Sequence, residues 1–462
     1  MRYISTRGTA PPVSFADMLL SGLTSDRGLA MPEEWPGLAR EDFEEFADAS
    51  YSRVALSILR KFAGDHCGDD ELCADIDAAY GRFEGRGVAP LVEIEPGLYL
   101  LELFHGPTLA FKDIALQLLA RLMVRELERR DARATILVAT SGDTGSAAIA
   151  AFRGRPRIEL FVLHPKGRVS DVQRRQMTTS PHRNVHNIAL EGSFDEAQAL
   201  VKSLFADTTF AEANALVAVN SINFARIIAQ SVYYFTASAA LQMPVRFVVP
   251  TGNFGDIFAG EAASRMGLGI AGLIAATNAN DILARVLDTG VYEPVAAVPT
   301  LSPAMDIQVP SNFERALFEA SGRDSGWLAA AMESFKKERT LILSAPVRDS
   351  LRARYSATAV SDGETLDTMR DTYRRWGRFI DPHTAVGLSV ARRLEIREGS
   401  PVVVLATAHS AKFPETVERA TGTVPPLPLC LAQSYVEAER YTVLSNDIDR
   451  LRAFIATRSA PT

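Results

Sequence analysis

The chain contains little cysteine: among its 462 residues only Cys67, Cys73 and Cys430 occur. An odd and sparse set forms no disulfide framework and is typical of a reducing compartment. The spacing of the first two around His66 matches no zinc-binding pattern. We therefore expect free thiols and a cytoplasmic protein.

An excess of positive charge and long apolar runs are also missing. The net charge is -7 at pH 7, which argues against a nucleic-acid partner, although one pocket can still be basic. No apolar run reaches membrane-spanning length, and residues 1–15 lack the apolar core of a signal peptide. We expect neither a nucleic-acid nor a membrane partner.

Several well-known ligand motifs do not occur. The chain has no GxxxxGK[ST], so a nucleoside triphosphatase is not indicated. It also has no GxGxxG between a predicted strand and the helix that follows it, which disfavours a nicotinamide-dependent oxidoreductase. His182 and His186 stand four residues apart, but without the glutamate of HExxH and in a stretch that reads as a strand. We expect no metal site there.

The composition itself is that of an ordinary globular protein, with 47% hydrophobic and 23% charged residues, long enough for two or three domains. Apolar residues recur at helical spacing within residues 1–95. Beyond them, short apolar strands alternate with helices, which predicts mostly parallel sheets covered on both faces. The predicted strands are 135–140, 157–165, 184–190, 215–219, 245–250, 270–277 and 401–408. We predict an N-terminal helical region (1–95) and two α/β domains (96–240 and 241–462).

Clusters of Gly, Ser, Thr and Asn follow these strands, at the sheet edge where ligands bind in such folds. GNFGD (252–256) comes after a strand and opens a helix. Its glycines and the helix N-terminus suit an anion such as phosphate, but a tight turn would need the same glycines. SGDTG (141–145) has the same context, and Ser141, Asp143 or Thr144 would simply cap the next helix. Read alone, GNFGD does not decide between the two interpretations, and SGDTG favours the capping turn.

Lys112 stands in FHGPTLAFKDIALQ, between Phe111 and Asp113 and before an apolar run. Most lysines of this kind lay their stem on apolar surface and extend the amine into water. The other interpretation is a desolvated amine, since burial lowers the pKa of a lysine and makes the neutral, nucleophilic form accessible. The stretch alone favours the surface lysine.

The motifs taken together are far more specific than any one of them. In order, they are FHGPTLAFKD, SGDTGSAAIAAF, SINFARIIAQ, PTGNFGDIFAG, MDIQVPSNFER, DPHTAVG and ATAHSAKF. This series resembles the threonine synthase family in its bacterial and fungal branch, and YISTRG and GLTSDRGLAMPEEW resemble the N-terminus of that family. The resemblance spans residues 1 to about 420.

The resemblance implies a pyridoxal-phosphate enzyme of fold type II, with two α/β domains and an N-terminal helical region. The implied reaction is that of a carbon–oxygen lyase acting on phosphate, which turns O-phospho-L-homoserine and water into L-threonine and phosphate. A related phospholyase or deaminase of the same fold, giving 2-oxobutyrate and ammonia, is the alternative. A non-catalytic relative that merely binds metabolites is disfavoured by the intact lysine and phosphate loop. A monomer and a homodimer are equally compatible with the sequence.

The resemblance also implies residue roles. Lys112 would hold the cofactor as a Schiff base and act as general base. The other cofactor-binding residues would be Gly252, Asn253, Phe254, Gly255 and Asp256 at the phosphate and Thr407 at the pyridine nitrogen. Asn223 would contact the phenolic oxygen of the cofactor or the substrate. The substrate would be bound by Ser141, Thr144, Arg226 and Lys166. The roles of His105, Asp143, His383 and His409 stay open; an acid at position 143 is unfavourable near substrate anions unless it faces away.

Overall fold

The structure is a computed structural model and describes residues 1–83, 85, 87–394 and 400–459. Its strands, in chain order, are β1 (Tyr3–Ser5), β2 (Ala30–Pro32), β3 (Leu91–Glu95), β4 (Leu98–Glu102), β5 (Ala134–Ala139), β6 (Ile158–Pro165), β7 (Val185–Glu191), β8 (Leu216–Val217), β9 (Val245–Pro250), β10 (Ile270–Thr277), β11 (Val291–Tyr292), β12 (Leu341–Ile342), β13 (Tyr355–Ala359), β14 (Val402–Ala406) and β15 (Thr442–Ser445).

The α-helices, in chain order, are α1 (Phe15–Ser21), α2 (Arg40–Phe46), α3 (Tyr51–Ala63), α4 (Asp69–Tyr80), α5 (Lys112–Arg129), α6 (Asp143–Phe152), α7 (Asp171–Thr178), α8 (Phe194–Ala206), α9 (Thr208–Ala213), α10 (Phe224–Leu241), α11 (Gly255–Arg265), α12 (Ile282–Thr289), α13 (Phe313–Ala320), α14 (Ser325–Glu338), α15 (Ala345–Arg354), α16 (Asp362–Trp376), α17 (Pro382–Ala391), α18 (Pro414–Thr421), α19 (Leu429–Ala432) and α20 (Ile448–Ser459). No helix in the described part of the chain is both long and apolar enough to span a bilayer.

The larger sheet has six strands in the order β13-β10-β9-β14-β4-β3. All neighbours in it run parallel except the β3–β4 hairpin. In the central strand β14 every residue is buried, because helices cover both faces. A strand covered on both sides needs an unbroken apolar run, and VVVLA supplies one.

The smaller sheet has five parallel strands in the order β15-β7-β6-β5-β8. The helix α8 that follows β7 begins with the expected capping box, in which Ser193 accepts from the N–H of Glu196 and the Glu196 carboxylate accepts in return. The mostly parallel α/β architecture predicted from the strand pattern is thus confirmed.

The N-terminal region packs onto α10, a helix buried on nearly all sides. Its helix α3 buries one face, and the Tyr3 hydroxyl donates to the carbonyl of Phe62 at 3.0 Å. The region is mainly helical, as its apolar spacing predicts, with β1 and β2 forming a small antiparallel pair.

The predicted domain boundaries do not follow the two sheets. The hairpin β3–β4 begins within the predicted helical region, and β4 joins the larger sheet although it was assigned to the first α/β domain. At the other end of the chain, β15 returns to the smaller sheet through β7. The chain therefore crosses between the sheets more often than a linear division allows.

Candidate active site

Three neighbouring strands of the larger sheet end at one edge and carry three of the predicted motifs. The strands are β9, β14 and β4, adjacent in that order and parallel. GNFGD follows β9, Thr407 follows β14, and the loop that leads to Lys112 follows β4. Their carboxyl ends meet because the strands run parallel.

The loop before Lys112 is held by a buried carboxylate. Asp113 accepts from the backbone N–H of Thr108 at 2.8 Å and from its hydroxyl at 2.7 Å. Gly106 packs so closely on Asp113 that an added Cβ would lie 2.5 Å from the Asp113 Cβ. Burial raises the pKa of Asp113 to about 6 against these bonds. The loop is thereby fixed, and α5 starts at Lys112.

The same loop is joined to the end of β14. The backbone N–H of Phe111 donates to the carbonyl oxygen of Thr407 at 2.9 Å, and His409 N–H donates to Leu109 O at 3.0 Å. Thr407 is 6% exposed. The structure thus places Thr407 beside Phe111, the residue that precedes Lys112.

GNFGD forms a row of backbone donors at the start of α11. Among the described residues, the N–H groups of residues 252–256 have no hydrogen-bond partner. Phe254 has φ 64 and ψ 6, a left-handed conformation that a side chain disfavours, and its ring is buried against Phe313 and Tyr355. Unpaired N–H groups at the positive end of a helix dipole bind anions.

The one acid of this loop turns away from these donors. Asp256 accepts hydrogen bonds from the hydroxyls of Tyr233 and Tyr234, both fully buried on α10. Burial raises the pKa of Asp256 to about 7, although these bonds and the charge of Lys112 oppose the rise. Only its backbone N–H is offered to the loop, so the carboxylate does not repel a bound anion there.

SGDTG follows β5 in the smaller sheet and is organised differently from the prediction. Neither Ser141, Asp143 nor Thr144 caps α6: the N-cap residue is Gly142, without a side-chain bond. The hydroxyl of Thr140 instead accepts from the N–H groups of Gly142 and Gly145, both at 2.9 Å.

This turn leaves two hydroxyls available. Ser141 and Thr144 are half-buried, and neither hydroxyl has a partner in the part of the chain that the structure describes. Gly142 has φ 138, and an added Cβ would lie 2.4 Å from the side chain of Gln173. Only glycine suits this position. The hydroxyls of Ser141 and Thr144 stay free because the hydroxyl of Thr140 accepts the hydrogen bonds from the backbone N–H groups of this turn.

Asp143 joins the two sheets through two lysines. Its carboxylate lies 3.7 Å from Lys112 Nζ and 2.9 Å from Lys412 Nζ, and it also accepts from Gln173 Nε2 at 2.9 Å. Burial raises the pKa of Asp143, but the two lysines more than offset this and the net pKa lies below the usual range. The acid thus faces the lysines and not the free hydroxyls.

Lys112 is a desolvated amine. Its side chain is 12% exposed and Nζ lies 4.6 Å from the centroid of the Phe111 ring. Burial lowers the pKa of Lys112; Asp143 raises it in part, and the charges of Lys412 and Arg226 lower it further. The surface-lysine interpretation, favoured by the stretch alone, is wrong for this structure.

The remaining predicted residues differ in their placement. Arg226 is buried, with Nη1 donating to the carbonyl of Val219 and no carboxylate paired with it among the described residues. Burial lowers the pKa of Arg226 to about 10. A buried guanidinium without an anion, close enough to act on Lys112, is a natural partner for an anionic ligand.

Asn223 and Lys166 do not lie in this cluster. The side chain of Asn223 caps α10 through the N–H of Ala225 and donates to the carbonyl of Leu19 at 2.9 Å. Lys166 is 53% exposed and pairs with Glu191 at 3.1 Å. These contacts give both residues structural roles and do not support ligand binding by either.

The three histidines left open by the sequence have defined places. His383 contacts the Asp381 carboxylate through Nδ1 and accepts from the backbone N–H of Ala304 through Nε2, next to Gly252. His105 and His409 line a cavity of about 330 Å³, where His105 pairs with Glu102 at 2.9 Å. None of them contacts Lys112.

Sequence reasoning missed Lys412, which stands inside the quoted motif ATAHSAKF. It is fully buried, and its Nζ donates to the carbonyl of Thr108 at 2.7 Å as well as to Asp143. In the sequence Lys412 stands between Ala411 and Phe413, a pattern that does not distinguish it from a surface lysine at the edge of an apolar stretch.

The residues fit a pyridoxal phosphate group, since an unpaired row of N–H groups, a desolvated lysine and a buried hydroxyl converge on one strand edge. A family model described as pyridoxal-phosphate dependent enzyme matches residues 83–344. The fold and the site therefore define a pyridoxal-phosphate-dependent enzyme of fold type II.

Models for the threonine synthase N terminus and C-terminal regions match residues 2–80 and 384–455. A threonine synthase from Pseudomonas aeruginosa is 47% identical over 460 residues, covering 99% of this chain and 98% of the relative. The chain belongs to the threonine synthase family, whose members are pyridoxal-phosphate-dependent lyases.

Two solved structures agree with this assignment. The pyridoxal-phosphate-bound threonine synthase from Brucella melitensis superposes with a TM-score of 0.96 at 47% identity, covering all of both chains. The yeast threonine synthase gives a TM-score of 0.92 at 35% identity, covering 99% of this chain and 98% of the other.

Proposed function

We propose that the protein converts O-phospho-L-homoserine and water into L-threonine and phosphate. The observation that carries the proposal is the desolvated amine of Lys112 at the edge where the strand ends carrying GNFGD and Thr407 meet. Family membership over the whole chain supports the same reaction.

Residues of the larger sheet would hold the cofactor. The N–H groups of residues 252–256 would bind its phosphate, Lys112 would bind it covalently, and Thr407 would face its ring nitrogen. A hydroxyl is a neutral partner that leaves this nitrogen largely unprotonated, unlike a carboxylate. Asn223 is not supported as a further contact, because its side chain is engaged by Leu19 and Ala225.

The substrate would lie between this edge and SGDTG. The free hydroxyls of Ser141 and Thr144 are suited to its carboxylate, and Arg226 is suited to its phosphate because the guanidinium has no carboxylate partner of its own in the described structure. Lys166 is not supported as a substrate contact, since it is exposed and paired with Glu191.

When bound, pyridoxal phosphate supplies a conjugated ring that stabilises negative charge on the substrate carbons. Lys112 Nζ would remove the proton from the substrate Cα and move further protons at Cβ, for which a lysine with a lowered pKa is suited. Phosphate would leave from Cγ, and Cγ would receive a proton in place of the one removed at Cβ. The hydroxyl of a water would then add at Cβ, its proton passing to the phosphate, and Cα would be reprotonated. Premature entry of water would divert the reaction, so closure of the two sheets over the substrate is expected.

The test uses the purified protein with added pyridoxal phosphate. We expect a visible absorption band and formation of threonine and phosphate from O-phospho-L-homoserine. Lys112→Ala should lose the band and at least about a thousandfold in turnover, because covalent binding and proton transfer both end. Lys202→Ala is the matched control, since that lysine is exposed on α8 and has no proposed role in the site.

Product analysis separates the proposal from its rival. A related phospholyase or deaminase would release 2-oxobutyrate and ammonia in place of threonine. Predominant 2-oxobutyrate would refute the proposed reaction while keeping the enzyme class; a colourless wild-type protein would refute the roles of Lys112 and residues 252–256.

Two further expectations remain proposals. The small-molecule substrate is the only ligand besides the cofactor that the site suggests. A cytoplasmic location is supported by the sparse cysteines.

A further inference from the structure

Two lysines compete for one carboxylate next to the proposed cofactor site. Asp143 Oδ1 lies 2.9 Å from Lys412 Nζ, and Oδ2 lies 3.7 Å from Lys112 Nζ. The shorter contact is a charge-assisted hydrogen bond, whereas the longer one is only an ion-pair distance. The carboxylate is therefore held mainly by Lys412.

Lys412 is fixed in this place from several sides. Its side chain is 0% exposed and donates to the carbonyl of Thr108 at 2.7 Å, in the loop that leads to Lys112. Its own carbonyl accepts from the hydroxyl of Ser170 at 3.2 Å, from the segment before α7. A lysine buried this completely, with two acceptors, cannot turn away from Asp143.

We propose that Lys412 is a positioning residue that holds the Asp143 carboxylate and thereby keeps it from fixing a proton on Lys112. The inference rests on the proposed role of Lys112. Without Lys412, the nearest charge to the Lys112 amine would be an unshared carboxylate in a desolvated site, which stabilises the ammonium form strongly.

The charged groups around Lys112 agree with this assignment. The groups that act on Lys112 or on its partner Asp143 are Asp143 on α6, Lys412 after β14, Arg226 on α10, Asp256 on α11 and His383 on α17. The carboxylate of Asp256 is engaged by two tyrosines. Asp143 is thus the acid in direct contact with the Lys112 amine, and Lys412 is the cation that shares it.

A neutral Lys112 matters twice in the proposed reaction: only the neutral amine attacks the cofactor, and only the neutral amine accepts a proton from the substrate. Lys412 would support both steps without touching the substrate. Asp143 is kept in place by the same contact, turned away from the substrate anions. This explains how an acid is tolerated in SGDTG.

The experiment titrates Lys112 in the full-length, cofactor-free chain. The sequence has seven lysines, so ¹³C-labelled lysine gives few NMR signals, and Lys112→Arg identifies the one in question. We expect Lys412→Met to raise the pKa of Lys112 by about one or more. The double variant with Asp143→Asn removes both charges and should bring the pKa back toward the wild-type value.

Gln173→Met is the matched control, because it removes a neutral hydrogen bond to the same carboxylate oxygen. It should leave the Lys112 titration unchanged. In the holoenzyme, the Lys112 amine is free only after the substrate has displaced it, so the acid limb of the kcat profile is the one that reports it. This limb should move to higher pH by about one pH unit in Lys412→Met and return in the double variant.

An unchanged or lowered Lys112 pKa in Lys412→Met overturns the inference, and so does a rise that persists in the double variant. Should Lys412→Met not fold, Lys412→Gln keeps a donor for the Thr108 carbonyl and carries the same expectation. The titration needs no cofactor or turnover, so its outcome is separate from the test of the proposed reaction.

Discussion

Burial of single side chains sets the protonation of this site, and it shifts the pKa values of Lys112 and Asp256 in opposite directions. Burial lowers the pKa of the amine and raises that of the carboxyl. Each residue stands first or second in a helix, where apolar packing against α10 or the strand edges excludes water. Desolvation thus favours the neutral form of both groups.

Asp256 gives a pH-dependent contribution to stability. Its folded pKa of about 7 lies above the unfolded value of about 4. The folded chain therefore binds more protons between these values, and the free energy of unfolding falls as pH rises through this window. The free energy of unfolding of Asp256→Asn, measured relative to wild type, should therefore rise by about 2 kcal/mol from about pH 5 to about pH 8.

Urea unfolding of the cofactor-free proteins at both pH values measures this difference. Asp288→Asn, at an exposed position, is the control and should differ from wild type equally at both. A stability difference for Asp256→Asn that does not grow with pH would contradict a buried, partly protonated carboxyl.

At this scale the sequence predicted Lys112, Thr407 and residues 252–256 only through the ordered motifs. Composition and periodicity favoured a surface lysine. Lys412 was not predicted at all, because its role depends on an ion pair with Asp143, which lies 269 residues earlier in the sequence. Burial and charge pairing of this kind depend on tertiary contacts that no local pattern encodes.

The element that defines the phosphate cradle is the N-terminus of α11. Gly252 lies against the loop before α13: a Cβ there would be 2.5 Å from the carbonyl oxygen of Ala304. That loop is held in turn by His383, which accepts from Ala304 N–H. The row of free N–H groups keeps its shape because the backbone on both sides is fixed.

Gly252→Ala should therefore weaken pyridoxal phosphate binding by about tenfold or more, or about 1.4 kcal/mol. The added methyl must push the cradle away from Ala304. Fluorescence titration with pyridoxal phosphate measures the affinity. Gly37→Ala, at an exposed position where a Cβ meets nothing within 4 Å, should bind as the wild type does; equal affinities for the two variants would refute the cradle.

Most strands covered on both faces were predictable and most edge strands were not. The exceptions are the inner strand β4, which was missed, and the edge strand β8, which lies within the predicted strand 215–219. The sequences of β9, β10 and β14 are mostly apolar, with Arg246 interrupting β9, and match the predicted strands. The edge strands β3 and β13 are mostly half-buried, so their sequences show neither a long apolar run nor a clean alternation. The prediction that Ser141, Asp143 or Thr144 caps α6 was wrong, because Thr140, the residue before SGDTG, accepts from the N–H groups of Gly142 and Gly145.

At the scale of the whole molecule, the C-terminal segment belongs to the smaller sheet. Leu451 and Ile455 on α20 are buried in the same cluster as Phe161 and Ile188 of β6 and β7. This packing was not predicted, because the predicted domains are continuous stretches of sequence and therefore assign residues 442–459 to the same domain as β14. The contact links residues nearly 300 positions apart in the chain.

Ile455→Ala should accordingly destabilise the protein by about 2–5 kcal/mol, although it lies far from Lys112 in the fold. The lost side chain leaves a cavity in a closed cluster. Chemical unfolding measures the effect. Val436→Ala, at a position 86% exposed, should change stability by less than about 0.5 kcal/mol; a similarly small effect of Ile455→Ala would show that α20 is not part of this core.

The return of β15 to β7 also sets an order of events during synthesis. Until residues 442–445 have left the ribosome, β7 is an open edge with unpaired backbone groups along one side. Strand β4 must likewise wait for β14, some 300 residues later. The larger sheet lacks β14 until residues 402–406 are synthesised, and the smaller sheet lacks β15 until residues 442–445 are synthesised. The nascent chain therefore depends on protection of these edges while several hundred residues are added.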